Sequence, residues 1–362
     1  MEKQGSVMLS ICIPTYNRPE CIERSLSNLC SIIRQAGLSE KVEVCVSDNS
    51  DGGAMRPIVE KFSGKGAMVS YFAWGRNAGY DKNALKALSI GKGRFLHLNS
   101  DEITHSSEAI ERLVSYLEGV EEDSCLVLSL APGPRMISPE KEPLSRFVSV
   151  KGIAKPFGTP LTRCVVSRRV FESFMAEHAQ DIEKRFIGSS FVHLPLFIYA
   201  LAGRAHAYYA ALKPEDAAKS NVSSKPSAAL PSDNAKLYAH RLYSVYLGCH
   251  ESGILPEREF ALFRRNFSLA LPLIALRIRI MVPPFMASSQ LPLIASYVDA
   301  LEAVPATERW LVKFLVLNKF VPYHFAYLAF YYYKKKIRKD KEILNLFDLY
   351  SGKKESSGFH FS

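Results

Sequence analysis

Gly93-Arg94-Phe95-Leu96-His97-Leu98-Asn99-Ser100-Asp101-Glu102 is the stretch on which the reading of this chain turns. A glycine leads into an apolar run of strand length, which passes without a break into an amide, a hydroxyl and two carboxylates. In a parallel α/β sheet, ligands bind beyond the carboxyl ends of the strands, so a polar cluster there reads as part of a site. The same sequence of events occurs three times upstream. Val7–Ile13 runs into Pro14-Thr15-Tyr16-Asn17-Arg18, Val42–Val46 into Ser47-Asp48-Asn49-Ser50, and Met68–Ala73 towards Gly75-Arg76-Asn77-Ala78-Gly79. Helical patterns separate these runs. Pro19 suits a first turn, Ile22, Leu26, Leu29 and Ile33 recur at helical steps up to Gly37, and further helices are read through Ile58 and Phe62 and over Asp81–Ile90. Strands alternating with helices predict βαβ units and a mostly parallel sheet. Turns alone would not require so many carboxylates and amides on one rim.

Around this core the chain has 362 residues, 48% apolar and 23% charged, which excludes a disordered tail protein, a collagen-like fibre and a multispan membrane protein. The pattern divides it into an α/β domain over residues 1–215 and a helical region over 216–362. Residues 131–160 read as a loop-rich connection or flap. Thr162–Val166 reads as a strand followed by a helix from Arg168, Phe191–Ala202 as an apolar helix closed by Gly203, and Ala217–Asp233 as a linker. The later helices are expected to break at Pro256, Pro272, Pro283-Pro284, Pro292, Pro305 and Pro322. Seven cysteines, without a C-x-x-C pair, read as small buried hydrophobes in a reduced, cytosolic protein. No secretory pattern is visible at the N-terminus.

Lys and Arg total 46 against 36 Asp and Glu, a net charge of +10. Residues 310–341 hold eight of those cations against Asp340 alone, beside Trp310, Phe314, Phe325, Tyr327 and the run Phe330-Tyr331-Tyr332-Tyr333. Aromatics next to a polybasic cluster predict an interfacial helix on an anionic membrane, whereas Lys313, Lys319 and Pro322 argue against a span. The alternative is a helix that packs its aromatics inward and solvates its lysines. Nucleic acid is not expected as a partner, since no recognised module accompanies the charge.

Asp101 and Glu102 are two hard carboxylates at a strand end, able to hold Mg2+ or Mn2+ against phosphate oxygens. Read structurally, they are solvated loop acids or caps for a helix over Ser106–Leu117. Asp48 either accepts from a nucleobase imide or ribose hydroxyl or simply forms an Asx turn. Asn77-x-Gly79 allows close backbone approach to a ligand, and Arg18 and Arg76 offer charge to phosphate or to solvent. The chain lacks a G-x-x-x-x-G-K-[ST] loop, a G-x-G-x-x-G after the first strand and a G-x-S-x-G elbow, which argues against an ATPase, a dinucleotide dehydrogenase and a hydrolase of that type.

In order and spacing, Ile11–Arg18, Glu43–Ser50, Asn77-Ala78-Gly79 and Gly93–Glu102 resemble the motifs of family 2 glycosyltransferases, which have the GT-A nucleotide-diphospho-sugar fold. Asn77-Ala78-Gly79-Tyr80-Asp81-Lys82-Asn83 is similar to bacterial O-antigen enzymes of the abequosyltransferase type. The resemblance implies that Pro14, Thr15, Tyr16, Arg18, Asp48, Asn49, Asn77, Gly79 and Asp101 line the nucleotide sugar, and that Asp101 and Glu102 form the metal motif. Departures stand beside it. Ile103 occupies the last place of the usual Asp-x-Asp, and Ala84-Leu85 that of an Arg-Asn pair for which Asp81, Lys82 and Asn83 substitute. Where family members often carry a catalytic Asp, this chain has Val192-His193, which makes His193 the candidate base, with Asp181 and Glu183 behind it. The activity implied is metal-assisted, inverting transfer of a sugar to a polyprenyl-linked saccharide in surface-polysaccharide synthesis. The alternatives are an inactive nucleotide-sugar-binding relative and a membrane-docking scaffold.

Overall fold

Leu9–Thr15 forms β1, every residue of which is buried, as expected of a strand covered on both faces. It pairs in parallel with β2 (Val42–Asp51) on one side and β4 (Phe95–Leu98) on the other, and β2 pairs in parallel with β3 (Met68–Gly75). The computed structural model describes residues 7–64, 67–128, 136–137, 164–204, 206–210, 240–265, 267, 287–299, 301 and 306–317. The remaining strands are β5 (Ser124–Leu128), β6 (Met136–Ile137), β7 (Cys164–Ser167) and β8 (His206–Ala210), and the sheet order is β3-β2-β1-β4-β7-β5-β8-β6. β7 runs antiparallel to both β4 and β5, β8 runs parallel to β5, and β6 is antiparallel to β8. Only β6 and β7 therefore oppose the rest, and the expected mostly parallel sheet is the one found.

The helices follow from periodicity and punctuation. α1 (Pro19–Gln35) begins on proline, buries Ile22, Leu26, Leu29 and Ile33 along one stripe, and ends before Gly37, whose φ is +66°. α2 (Arg56–Glu60) is a single short turn after β2, and α3 (Tyr80–Ser89) buries Ala84, Leu85, Ala87 and Leu88. α4 (Ser107–Glu118) is capped by Ser106, whose Oγ accepts from Ala109 N at 3.1 Å. α5 (Arg168–Glu177) has the equivalent Ser167 cap. α6 (His193–Tyr199) continues into a wide-turned stretch, Ala200–Arg204, closed by Gly203 at φ +96°. α1 and α4 pack on one face of the sheet, where Ile22, Leu26, Leu29, Ile110, Leu113 and Leu117 meet Leu9, Ile11, Ile13, Val44 and Val46. Each such side chain contributes about 1.5–3 kcal/mol by leaving water.

Two compact units emerge: residues 1–224 with 245–260, and residues 225–244 with 261–362. The first takes in residues 216–224 and 245–260 beyond the α/β domain read from sequence. α7 (Leu242–Glu251), α8 (Ala287–Asp299) and α9 (Ala306–Leu317) are helical as expected. Pro292 does not break its helix; it lies inside α8, since proline's fixed φ is helical and only one backbone bond is forgone. Six cysteines, 12, 21, 30, 45, 125 and 249, are free and buried. The flap reading apart from Met136–Ile137, the linker and the basic run beyond residue 317 lie outside the described residues.

Candidate active site

Because β1, β2, β3 and β4 are adjacent and run the same way, their carboxyl ends share one edge, and hydrogen bonds tie the four polar loops there into a chain. Thr15 Oγ1 donates to Asp101 Oδ2 at 2.8 Å, joining the first loop to the fourth. Asn17, at φ +50°, gives its N–H to Ser50 Oγ at 2.9 Å, joining the first to the second. Asn49 joins the second to the third: its Nδ2 donates to Asn77 Oδ1 at 2.8 Å and its Oδ1 accepts from Ala78 N at 2.7 Å. Asn83 Nδ2 reaches Thr15 O at 3.1 Å from α3. Pro14 and Thr15 are buried, while Tyr16, Arg18, Asn77 and Gly79 are exposed along this rim.

The acidic pair is not a helix cap, since Ser106 caps α4. Nor is Asp101 a solvated loop acid. It is 4% exposed, and burial raises its pKa from the ordinary carboxylate value while Arg18 and the Thr15 hydrogen bond pull the other way. Arg18 Nη1 lies 3.3 Å from Asp101 Oδ1 and 2.6 Å from Glu102 Oε1. Among the described residues no group of three His, Cys, Asp or Glu side chains could hold a metal ion. Two adjacent carboxylates, one of them buried, still fit a hard dication that takes its other ligands from phosphate and water, the usual habit of Mg2+.

Three residues expected on the nucleotide have other partners here. Asp48 is fully buried; its Oδ1 accepts from Ser50 N at 2.8 Å, and its Oδ2 from Met55 N at 3.0 Å and Tyr71 Oη at 2.7 Å. With those donors engaged, it shapes the loop as an Asx turn and has no exposed edge for a base. Asp81, 3% exposed, binds the segment before α6. Its Oδ2 accepts from Gly188 N at 2.8 Å and Ser190 N at 2.9 Å, and its Oδ1 from Val192 N at 3.2 Å. Lys82 pairs with Glu183 at 2.8 Å.

His193, at the start of α6, is 1% exposed between Phe191 and Phe197, with ring centroids at 6.2 and 5.7 Å. Neither ring nitrogen has a hydrogen-bond partner among the described residues, and burial lowers its pKa to about 3. As it stands, the imidazole is neutral and sealed from an acceptor. Asp181 is engaged by Arg185 and His178. Tyr71 and Asn28 are contributors that sequence reasoning missed, and Ser50, read only as part of a rim cluster, joins the first loop to the second. Asn28 holds the loop after the acidic pair by bonding His105 N at 2.8 Å and His105 O at 3.0 Å. Nothing in the local sequence marks Tyr71 or Asn28, because each acts through a partner distant in the chain.

A parallel strand edge with cross-tied polar loops and an acidic pair, Asp101 buried and Glu102 exposed, is the arrangement of an α/β ligand-binding domain. Residues 10–133, about a third of the chain, match the family described as Glycosyl transferase family 2. Abequosyltransferase RfbV of Salmonella typhimurium is 26% identical over 113 residues, 31% of this chain and 33% of that protein, so the chain spans about a third of the curated relative it matches. Among solved structures, TarS of S. aureus gives a TM-score of 0.49 at 14% identity, covering 97% of this chain and 93% of that one. Mannosyltransferase PcManGT from Pyrobaculum calidifontis, in complex with GDP-Man and Mn2+, gives 0.48 at 16% identity, covering 92% and 88%. The fold assignment rests on strand order and the family match.

Proposed function

We propose that this chain is a glycosyltransferase that moves a sugar from a nucleotide diphosphate to a hydroxyl of a saccharide acceptor. The observation that carries the reading is the buried Asp101 beside Glu102, tied through Thr15 to the chain of polar loops on the binding edge of the sheet. Asp101 and Glu102 would hold a dication, Mn2+ or Mg2+, which when bound supplies charge neutralisation for a leaving diphosphate. Thr15, Tyr16, Arg18, Asn77 and Gly79 border the nucleotide, while Asp48, Asn49 and Asn83 fix the loops that carry them.

In the reaction proposed, the acceptor hydroxyl gives its proton to a protein base and its oxygen bonds to the anomeric carbon. The bond from that carbon to the diphosphate breaks, and the nucleoside diphosphate departs with the electron pair, inverting the centre. His193 is the base we favour. Leaving a buried polar group without a partner costs about 1–3 kcal/mol, and a site residue is where such a cost is retained. To act, the ring must emerge when the segment held by Asp81 shifts; contact with solvent then restores its basicity. Glu183 is the competing base, exposed and paired with Lys82.

The experiment is a thermal-shift screen of UDP, GDP, CDP and dTDP with and without Mn2+, followed by donor turnover. One nucleotide should raise the melting temperature, more with Mn2+, and Asp101→Asn should remove the Mn2+ increment. No shift with any of them would overturn the reading, and binding without turnover would favour an inactive relative.

A polyprenyl-linked saccharide in surface-polysaccharide synthesis is the acceptor we propose, reached from the inner face of an anionic membrane through residues 310–341. Supporting this, Trp310, Phe314 and Leu317 are 65%, 41% and 40% exposed, and their spacing of four and three puts them along one side of α9. No described helix is long and apolar enough to cross a membrane. Sedimentation of the full chain with phosphatidylglycerol vesicles at low salt tests this; protein left in the supernatant would refute it.

A further inference from the structure

The acidic pair already has a cation, supplied by its own rim. Arg18 ends the first polar loop, immediately before Pro19 opens α1. One guanidinium nitrogen, Nη1, serves both carboxylates, at 2.6 Å from Glu102 Oε1 and 3.3 Å from Asp101 Oδ1. Asp101 Oδ2 is taken by Thr15 Oγ1 at 2.8 Å, so both oxygens of the buried carboxylate are engaged. The side chains of Arg18 and Glu102 are each 44% exposed, whereas that of Asp101 is 5% exposed. The buried anion is thus compensated by an arm that reaches in from solvent.

A dication held by Asp101 and Glu102 would need the lone pairs Arg18 now uses. Two cations cannot occupy that position together, since their charges repel and the oxygens are shared. The guanidinium, once displaced, stays tethered to the loop that borders the proposed diphosphate, and its planar fork suits two phosphate oxygens at once. We propose that Arg18 is an exchangeable counter-ion. It holds the acidic pair while the donor is absent, and yields the pair to the metal as it turns onto the diphosphate. The inference rests on the glycosyltransferase reading and adds a consequence to it. Metal binding by the empty protein is weak, because it competes with Arg18, and it tightens when a diphosphate draws the guanidinium away.

The test is titration of Mn2+ alone into the full-length chain without nucleotide, with free Mn2+ followed by electron paramagnetic resonance. Arg18→Gln removes the competitor and should tighten Mn2+ binding by about tenfold, the equivalent of one modest ion pair. Arg18→Lys keeps a competing charge and should stay near the unaltered protein. Asp101→Asn should abolish the binding in either background. Circular dichroism melts accompany each variant, and the exposed Arg18 side chain makes folding of both Arg18 variants the expected result. Unchanged or weaker Mn2+ binding in Arg18→Gln, or binding indifferent to Asp101→Asn, overturns the exchange. The glycosyltransferase reading is judged separately by the nucleotide shifts, so a nucleotide that binds while Arg18→Gln leaves Mn2+ affinity untouched sinks this inference alone.

Discussion

Asp81 and Val192 lie 111 positions apart and are joined by a hydrogen bond from the Val192 N–H to Asp81 Oδ1 at 3.2 Å. With Gly188 and Ser190 donating to the other oxygen, one carboxylate in the first turn of α3 suspends the whole segment that enters α6. Ser190 sits there at φ +68°, a conformation that costs a non-glycine residue about 1 kcal/mol or more and persists only when its surroundings hold it. The helix beside the proposed donor site and the segment carrying the proposed base are therefore joined through this one carboxylate.

Asp81→Asn should lower turnover far more than nucleotide affinity. The amide can present only one accepting oxygen to these N–H groups, and the loss should cost about 2–3 kcal/mol of stability, the scale of hydrogen bonds to a charged group. Comparison of nucleotide shifts with turnover checks it; an equal loss in both would return Asp81 to the nucleotide site.

Asp101→Asn should raise the melting temperature of the nucleotide-free protein at pH 7 while removing the Mn2+ response. The sign follows from the raised pKa of this carboxyl. Between the unfolded and folded pKa values the native state binds the extra proton, so stability falls as pH rises and burial of the ionised form is a cost at neutrality. The stabilisation by asparagine should shrink as pH is lowered. A variant melting lower at pH 7 would mean that the Arg18 and Thr15 contacts outweigh burial.

Acid should unfold this protein early, because two histidines are held neutral. Burial lowers His193 to about 3, and burial together with neighbouring His97 lowers His105 to about 3. The unfolded chain takes up these protons near pH 6.5 and the native state does not, so stability falls as pH drops from about 6.5 towards 3, by a few kcal/mol for each group. His193→Phe should flatten part of that slope in urea melts between pH 7 and 4. An unchanged slope would show that the ring is not sealed.

Gly93→Ala should destabilise without altering ligand binding. A Cβ there would lie 2.8 Å from Ser10 N and 2.7 Å from Ser10 Oγ, beside the buried Glu43 carboxylate that accepts from Ser10 Oγ at 2.7 Å and Gly93 N at 3.1 Å. These residues stand at the opposite end of β1 from the proposed site. A loss of about 1–3 kcal/mol in urea melts is expected, the range for overpacking.

Much of the fold was legible because hydrophobic period and turn residues are local signals. β1, α1, β3, α3 and β4 fall within two residues of the sequence reading at each end. β5, β6 and β8 were not read as strands, and β2 runs past its reading to Asp51 through Asp48-Asn49-Ser50, turn-formers held in the sheet by Asp48 opposite Ala73 and, after a register shift, Asp51 opposite Gly75. Pairing overrode propensity there. At the site, strand ends told which residues gather on the rim. Spacing says nothing about partners, so Asp48 could not be assigned to Tyr71, nor Asp81 to a segment 107–111 positions away. The sealed environment of His193 was half visible, in an apolar helix, but the absence of a partner for either nitrogen among the described residues was not.

The chain of bonds from Thr15 through Asp101, Asn17 through Ser50 and Asn49 through Asn77 has an evolutionary corollary. A cradle whose loops brace one another is shaped before anything enters it, so little order remains to be imposed on binding. The same bracing makes it hard to retune piecemeal. A replacement in one loop is felt in the next, and descendants that switch nucleobase would have to change several positions in concert.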